Sequence, residues 1–508
     1  MSNTTPPDRI PVIVGVGEII DRPADPAQAL EPLALMAEAA RRAETDAGGG
    51  LLSQVDSIDI VGLVSWRYGD LPALLNATLG LSPARSVYGP VGGESPVRYL
   101  HEAARRIARG ASEIGLVLGA EAQHAVNHAK KNGVTLPWTP YAVDAPRFQR
   151  ASDYVHPLAV KLGAFMPVSV YPLYDAATAA HWGQTPAEAL AESGALWERY
   201  AKIAADNPYS WSREALSADA ITRRKRDNRL IAWPYTKRMV ANPNVNQGAA
   251  VLLTSLAKAR AAGIADDHLI FIAAGASASE PRDWLARDAY TASHAQTAVL
   301  EAMLAEAGGD ASRFAALELY SCFPCVPKMA RRTLGLGPDV NPTVTGGLSF
   351  FGAPLNNHMT HAACAMVRAL RETGASSAGL LYGQGEFVTK HHALMLARAP
   401  AGEAALREAG AQETADLRRG PVPQTETAPD GEARLETFTI LYDAAGKPTH
   451  AVVVAMLDSG ARTLARIPAA LADEIALLTS PDRYPIGNRG RISLAADGLP
   501  EWRTLGAA

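Results

Sequence analysis

Short apolar runs alternate with longer amphipathic runs through the first 121 residues of the chain. A short apolar run bounded by glycine is typical of a buried strand, whereas a longer amphipathic run is typical of a helix. Strands that alternate with helices form βαβ units around a mostly parallel sheet. The pattern predicts strands at 11–17, 55–64, 85–88 and 114–119 and helices at 28–47, 69–80 and 97–109.

The same alternation returns in the second part of the chain, beginning with an apolar strand at 248–254. It predicts a second set of α/β elements that resembles the first. These elements are strands at 269–275, 315–320 and 378–383 and helices at 290–307, from about 326 and at 357–373.

One short stretch occurs twice. Residues 110–119 read GASEIGLVLG and residues 374–383 read GASSAGLLYG, with six of ten positions identical and an offset of 374 − 110 = 264. Solenoid repeats have periods of about 20–50 residues, so this separation predicts two similar half-domains instead. Duplicated halves often build one site between them.

Three segments lie outside the two halves. Residues 122–240 are polar and irregular apart from a predicted helix at 186–206, and long insertions of this kind usually cover active sites. A stretch rich in Ala, Glu, Gly and Pro predicts a linker, and β-rich runs follow it. The predicted division is 1–121 with 241–265 for the first half, 122–240 for the insertion, 266–399 for the second half, 400–430 for the linker and 431–508 for a small, mainly β domain.

Composition excludes several classes of partner. The chain has 508 residues and a net charge of −4, which gives no argument for binding nucleic acid or an anionic membrane surface. We find neither a signal-peptide pattern nor a run of about 18 apolar residues, so no membrane insertion is expected. Three cysteines without a disulfide framework fit a reducing compartment, and we expect a cytoplasmic protein.

Four local stretches, in this order, resemble the thiolase family. They are GAE at 119–121, NQGAA at 246–250, LYSCF at 319–323 and GGLSFFGAP at 346–354. The resemblance covers roughly residues 8–398. It implies an α/β fold of two βαβαβαββ halves in α-β-α-β-α layers, with an inserted loop domain and the small C-terminal domain.

Two further features resemble the thiolase-like protein type 1 group. GGESP at 92–96 and TKH at 389–391 match its pattern, and the appended domain matches its organisation. The resemblance implies an acyltransferase of the acetyl-CoA acetyltransferase type, as used in lipid metabolism. It implies coenzyme A or acyl-CoA as substrate or ligand, no tightly bound cofactor, and a monomer or dimer.

The positions that carry thiolase chemistry differ in this chain. The resemblance places the family's nucleophilic cysteine at Gly93, its histidine base at Ala353 and its second cysteine at Leu381. Tyr320 replaces the asparagine or histidine of the third motif. We therefore expect chemistry without the usual cysteine nucleophile.

Several residues remain as candidates. Backbone amides at Gly93, Glu94 and Ser95 begin a predicted helix and would attract an anion or a thioester oxygen. Tyrosines serve a retro-aldol reaction in the related steroid side-chain aldol lyases, which suggests Tyr320 as an acid/base here. The candidate list is completed by His358 and His391 for catalysis and by Arg223, Arg224 and Lys390 for phosphate groups. His358 and His361 lack a third ligand, so no metal site is predicted.

Three functions stay open at this point. The first is an enzyme that acts on acyl-CoA thioesters by acyl transfer or carbon–carbon bond chemistry, including a retro-aldol lyase that uses Tyr320. The second is a non-catalytic protein that binds CoA or lipid. The third is a subunit of an assembly in which a partner holds the cysteine.

Overall fold

The computed structural model describes residues 5–400 and 410–506. Its first half begins with the predicted alternation of strands and helices. Every helix there has a proline in its first turn, where the missing N–H costs no hydrogen bond. The elements are β1 (Pro11–Ile20), α1 (Pro32–Asp46), β2 (Ser57–Ile60), α2 (Leu71–Leu79), β3 (Arg85–Tyr88), α3 (Ser95–Ala108) and β4 (Ile114–Ala122).

The insertion between β4 and the next core strand is mainly helical. It contains α4 (Gln123–Asn132), α5 (Pro157–Lys161), α6 (Pro167–His181), α7 (Pro186–Asp206), α8 (Ala218–Thr222), β5 (Leu230–Ala232) and β6 (Tyr235–Thr236). The predicted helix at 186–206 is α7, which begins at a Thr185–Glu188 capping box. The chain then returns to the core as β7 (Asn246–Ser255) and α9 (Leu256–Ala261).

The second half repeats the order of the first with one strand fewer. Its elements are β8 (Ile270–Ser279), α10 (His294–Glu306), β9 (Phe314–Leu319), α11 (Cys325–Thr333), α12 (His358–Arg371), β10 (Ala378–Gly385) and β11 (Lys390–Ala397). The two copies of the repeated stretch each lead into the strand that follows the half's central helix, β4 and β10. The sequence repeat therefore marks equivalent places in two equivalent halves.

The two halves form one nine-stranded sheet in the order β3-β2-β4-β7-β1-β8-β11-β10-β9. Parallel pairs occur at β2–β4 and β9–β10, and antiparallel pairs at β4–β7 and β10–β11. The central β1–β8 pairing joins the halves through Val12–Phe271 and Ile13–Ile270. This symmetry confirms the predicted duplicated α/β fold.

Helices α3 and α12 form the middle of the molecule. Each contacts the other and strands from both halves, while α1 covers strands of the first half and α10 covers strands of the second. Helix α12 is buried along most of its length, from His358 to Val367. The N-termini of α3 and α12 define the place where the halves meet.

The C-terminal part forms a second sheet that includes two strands of the insertion. Its elements are α13 (Ala411–Arg418), β12 (Gly431–Tyr442), β13 (Pro448–Leu457), β14 (Arg462–Pro468), α14 (Ala472–Leu478), β15 (Arg489–Leu494) and β16 (Pro500–Thr504). The strand order is β13-β14-β16-β15-β12-β5-β6, with a further β12–β13 pairing. The mainly β character predicted for this part is present.

Two features of the C-terminal part differ from the sequence expectation. The predicted linker at 400–430 contains helix α13, which packs against α10 and β8; residues 401–409 of that linker lie outside the described residues. The appended sheet also contacts the insertion directly, because the Thr437 hydroxyl donates to the Leu173 carbonyl at 2.6 Å. Of the described helices, none is long and apolar enough to cross a membrane.

Candidate functional site

The loop that leads into α3 is held in place by the second half of the molecule. The amide of Gly92 donates to Asn356 Oδ1 at 3.0 Å, and Asn356 Nδ2 donates to the Gly62 carbonyl at 2.6 Å. Asn356 lies in a short 3₁₀ turn (Leu355–Asn357) directly before α12. A single buried side chain therefore fixes the start of α3 relative to the start of α12.

Gly93 has no space for a side chain. A Cβ atom at this position would clash with the Tyr320 hydroxyl oxygen and the Gln384 carbonyl oxygen, and would lie 2.7 Å from Tyr320 Cζ. Tyr320 directly follows β9, and Gln384 lies near the end of β10. The ends of two second-half strands thus close over the N-terminus of a first-half helix.

Tyr320 is buried at this junction, with 6% of its surface exposed. Burial, reinforced by the nearby Cys322 and Glu94, raises the pKa of Tyr320 well above that of a free phenol. Its ring lies edge-on to the His358 ring, with centroids 6.3 Å apart. At neutral pH Tyr320 is therefore a neutral phenol, which can donate a hydrogen bond but cannot act as a strong base.

Glu94 places a carboxyl group in the same junction. Its side chain is buried, and Oε2 has no hydrogen-bond partner among the described residues. Burial raises the pKa of Glu94, although the charges of Lys390 and Arg98 oppose that rise. Gly385 lies against this carboxylate so closely that a Cβ there would overlap Oε2. Glu94 is thus a buried acid with one unsatisfied oxygen beside Gly93.

Lys390 is already paired. Its Nζ lies 2.8 Å from Glu386 Oε1 and 3.5 Å from the Val91 carbonyl oxygen. Glu386 also receives a bidentate contact from Arg282, with Nη2–Oε1 at 2.7 Å. The backbone of Glu386 has a positive φ of 57°, and so does that of Val388, which is unusual for a β-branched residue. These ion pairs hold a strained hairpin loop next to the site.

The insertion contributes Tyr171, a residue that no sequence pattern indicates. Its hydroxyl lies 2.9 Å from Gln384 Oε1 and 2.6 Å from the Glu386 carbonyl oxygen. Cys322 Sγ contacts the same Gln384 oxygen at 3.7 Å. Gln384 is a polar residue that follows a glycine in an apolar strand. That feature of the sequence could have indicated a polar contact at this position.

His358 begins α12 and is fully buried beside the site. Its Nδ1 lies 3.1 Å from the Gly352 carbonyl oxygen, and its Nε2 lies 3.5 Å from Glu318 Oε1 without hydrogen-bond geometry. The Glu318 carboxylate is bound by the hydroxyls of Thr343 and Thr345 and by two backbone amides. The structure therefore brings His358 to the ring of Tyr320, within a fixed polar network.

His391 lies in a different environment. Its Nδ1 is 2.7 Å from the Tyr382 hydroxyl and its Nε2 is 3.2 Å from the Ser293 hydroxyl. Burial lowers the pKa of His391 to about 4. Both ring nitrogens are used in contacts between β11, β10 and the start of α10, and the structure does not bring this histidine to Gly93.

The remaining candidates have structural contacts. Ser95 is the first residue of α3, which begins two residues before the predicted start at 97, and its buried hydroxyl donates to the Gly92 carbonyl. Arg223 and Arg224 are exposed after α8, where Arg223 pairs with Asp219 at 2.8 Å. A role for these arginines with CoA phosphate stays a prediction.

The three cysteines are unsuited to nucleophilic work. All are buried and free. Burial raises the pKa of Cys322 to about 12 and those of Cys325 and Cys364 well above the usual range, so all three are neutral thiols. Within residues 5–400 and 410–506 no cluster of three or more potential ligand side chains could hold a metal ion.

Comparisons with known proteins agree with this architecture. Residues 413–498 match the family model described as the thiolase-like protein type 1 additional C-terminal domain. A solved structure of a monomeric SCP2-thiolase like protein type 1 from Mycobacterium smegmatis is 26% identical, with a TM-score of 0.82, and the match covers 98% of this chain and 99% of that chain. No curated protein sequence gives a significant match.

More distant structures share the fold. The Ltp2-ChsH2(DUF35) aldolase is 18% identical, with a TM-score of 0.58 over 78% of this chain and 99% of that chain. Human mitochondrial 3-ketoacyl-CoA thiolase in complex with CoA is 13% identical, with a TM-score of 0.56 over 77% of this chain and 98% of that chain. The whole-length structural match and the matching C-terminal domain together show a thiolase fold that is similar to a thiolase-like protein type 1 and carries the additional C-terminal domain of that group.

Proposed function

We propose that this chain acts on acyl-CoA thioesters by carbon–carbon bond chemistry of the retro-aldol type, without a thiol nucleophile. The observation that carries the proposal is the position of the Tyr320 hydroxyl, which occupies the space that a side chain at Gly93 would need. The family resemblance assigns the thiolase nucleophile to that position. In this proposal the phenol of Tyr320 stands where the family has its thiol, and retro-aldol cleavage replaces acyl transfer through a cysteine.

The start of α3 suits an oxygen that gains negative charge. Backbone N–H groups and the positive end of the helix dipole stabilise anions at a helix N-terminus. Because Tyr320 stays neutral, its O–H can donate a hydrogen bond to a group placed beside Gly93. A thioester carbonyl oxygen placed there would be stabilised as it becomes an enolate oxygen.

Glu94 is the group best placed to move a proton. In a retro-aldol cleavage a base takes the proton of the 3-hydroxyl group, and the bond between carbons 2 and 3 breaks. The electron pair of that bond passes to the thioester as an enolate, and a carbonyl compound leaves. The enolate then takes a proton at carbon 2, which gives a shortened acyl-CoA. A carboxylate with an unsatisfied oxygen and a raised pKa can accept the first proton and return it in the last step.

Acyl transfer through a cysteine is less well supported. Cys322 is the thiol nearest the site, but its pKa of about 12 leaves very little thiolate at neutral pH. Its Sγ already contacts Gln384. The name of the 18% identical aldolase is consistent with carbon–carbon chemistry on this fold, as the human thiolase–CoA complex is with a CoA ligand.

The test is a product assay on the full chain with a panel of 3-hydroxyacyl-CoA thioesters. We expect release of an aldehyde or ketone together with a shortened acyl-CoA. Glu94→Gln should lower kcat by about 100-fold or more, since general acid–base catalysis contributes about 10²–10⁴-fold. Its pH–rate profile should lose the acidic limb that reports Glu94. Binding of the thioesters without any product would favour a non-catalytic CoA-binding protein, and CoA-dependent cleavage of 3-ketoacyl-CoA would favour thiolase chemistry.

A further inference from the structure

Two cations share one carboxylate close to the start of α3. Glu386 lies in the loop between β10 and β11, and 6% of its side chain is exposed. Lys390 Nζ lies 2.8 Å from Glu386 Oε1. Arg282 binds both carboxylate oxygens, with its Nε 3.0 Å from Oε2 and its Nη2 2.7 Å from Oε1. We call these three residues the charge cluster; two positive charges and one negative charge leave it with one net positive charge.

The loop that carries Glu386 is held in a strained conformation. Glu386 and Val388 both have a positive φ of 57°. The Tyr171 hydroxyl of the insertion donates to the Glu386 carbonyl at 2.6 Å, and the buried Arg287 guanidinium donates to the Val388 carbonyl at 2.6 Å. Strain of this kind persists only where the surrounding contacts over-determine the backbone. Glu386 therefore has a fixed place, and the charge cluster has one with it.

The charge cluster borders the carboxyl group of Glu94. Lys390 Nζ reaches the loop before α3, where it lies 3.5 Å from the Val91 carbonyl oxygen. Gly385 directly precedes Glu386, and a Cβ at Gly385 would overlap Glu94 Oε2. That oxygen is buried and has no hydrogen-bond partner among the described residues. The net positive charge thus lies beside a buried acid with one unsatisfied oxygen.

The groups around Glu94 act on its proton in opposite directions. Burial raises the pKa of Glu94, and the charge of Glu386 adds to that rise. The positive charges of Lys390 and, to a smaller extent, Arg98 lower the pKa. Arg98 lies one turn later on α3 and is 34% exposed, so water screens its charge. Tyr320 on the other side is neutral. Lys390 is therefore the main cation that opposes the effect of burial.

We propose that Lys390 is a positioning residue for the reaction: its ammonium group, held by the charge cluster, lets the buried Glu94 ionise at neutral pH and so serve as the base. This inference rests on the proposed function, because it assigns a task to a group that supports the same base. Without the ammonium group, burial would keep Glu94 protonated, and a protonated carboxyl group cannot take the proton of a 3-hydroxyl group. Glu386 limits the effect, since its negative charge offsets part of that of Lys390.

A direct titration of Glu94 separates this inference from turnover. The full chain is labelled with ¹³C at the glutamate carboxyl carbons, and the Glu94 signal is identified by its absence from Glu94→Gln. Lys390→Met should raise the midpoint of this titration by about one pH unit or more, because an opposite charge nearby favours the ionised form. Lys390→Arg keeps the charge and should restore the natural midpoint. Lys202→Met, which breaks an exposed pair with Glu198 on α7, should not move it.

A second variant is expected to act in the opposite direction. Glu386→Gln removes the negative charge that offsets Lys390, so the Glu94 midpoint should fall, and this result tests the inference even if Lys390→Met does not fold. In the 3-hydroxyacyl-CoA assay the acidic limb of the pH–rate profile should move with the midpoint, to higher pH for Lys390→Met and to lower pH for Glu386→Gln.

The possible outcomes distinguish the inference from the proposed function. A Glu94 midpoint that neither variant moves would overturn the inference. If Lys390→Met instead weakened the binding of CoA in calorimetry and left the midpoint in place, Lys390 would be a phosphate ligand and the inference would be wrong. Midpoints that move as expected, without product from any 3-hydroxyacyl-CoA, would support the role of Lys390 and overturn the proposed reaction alone.

Discussion

Gly93 lacks a side chain for a steric reason. The Tyr320 hydroxyl and the Gln384 carbonyl fill the space beside its Cα. A cysteine at this position would need both groups to move. The absence of a side chain at Gly93 is therefore coupled to the positions of a tyrosine and a backbone segment of the other half.

This packing predicts the effect of adding one methyl group. Gly93→Ala should destabilise the fold by about 1–3 kcal/mol, because overpacking a filled site forces its neighbours out of place. Urea unfolding measures the change. Gly69→Ala is the matched control, since a Cβ at Gly69 meets nothing within 4 Å. A Gly93 variant as stable as the Gly69 variant would show that the Tyr320 hydroxyl does not fill this space.

A pair of buried histidines predicts a pH effect on stability. His101 Nδ1 and His392 Nε2 lie 2.9 Å apart between α3 and β11. Burial lowers the pKa of His101 to about 4, against about 6.5 in the unfolded chain. The unfolded state therefore binds protons first, and stability falls as the pH drops from about 6.5 toward 4.

The buried carboxyl groups act in the opposite direction, so variants must be compared. Burial raises the pKa of Glu121 to about 7, which favours the folded state as the pH falls. Between pH 7.5 and 5 the natural chain should lose about 2 kcal/mol more than His101→Gln. Equal losses in urea unfolding would mean that this histidine is not held neutral by burial.

At the scale of helices and strands, the periodicity of apolar residues predicted most of the fold. The alternating pattern located α1, α2, α3, α10 and α12 and the strands between them, because burial of one face imposes a period on the sequence. The insertion lacks such a pattern, so the position of Tyr171 on α6 could not be deduced. The residues that contact Gly93 lie far apart along the chain, so local sequence patterns do not predict these contacts.

The junction between α3 and α12 depends on Asn356. Asn356→Ala should cost about 1–3 kcal/mol, because it leaves the Gly92 amide and the Gly62 carbonyl buried without partners. Turnover should fall as well, since the loop before Gly93 loses its support. Asn127→Ala, at an exposed position on α4, is the control for both measurements. An active, fully stable Asn356 variant would contradict this role.

At the scale of the whole molecule, the C-terminal domain is part of one structure with the core. Arg462 is fully buried and pairs with Glu436 at 2.7 Å. It also donates to the carbonyl oxygens of Leu285, Arg287 and Asp288, in the segment between β8 and α10. The sequence predicted an appended domain after a linker, but these long-range contacts leave no local signal and could not be anticipated.

Arg462 therefore predicts how firmly the domain is joined. Arg462→Met should destabilise the chain by about 3–5 kcal/mol, because it leaves Glu436 without its partner in a partly buried site. Arg491→Met, which removes an exposed pair with Asp430, should change stability by less than about 1 kcal/mol. Thermal or urea unfolding distinguishes them, and equal effects would show that the two parts are only loosely connected.

The most direct test of a thiol-independent site compares two variants in the 3-hydroxyacyl-CoA product assay. Tyr320→Phe removes the donor at Gly93 and should lower kcat by about 100-fold or more, as the loss of one such donor does elsewhere. Cys322→Ser removes the nearest thiol and should leave kcat within about twofold. Full activity of Tyr320→Phe together with an inactive Cys322→Ser would contradict the account.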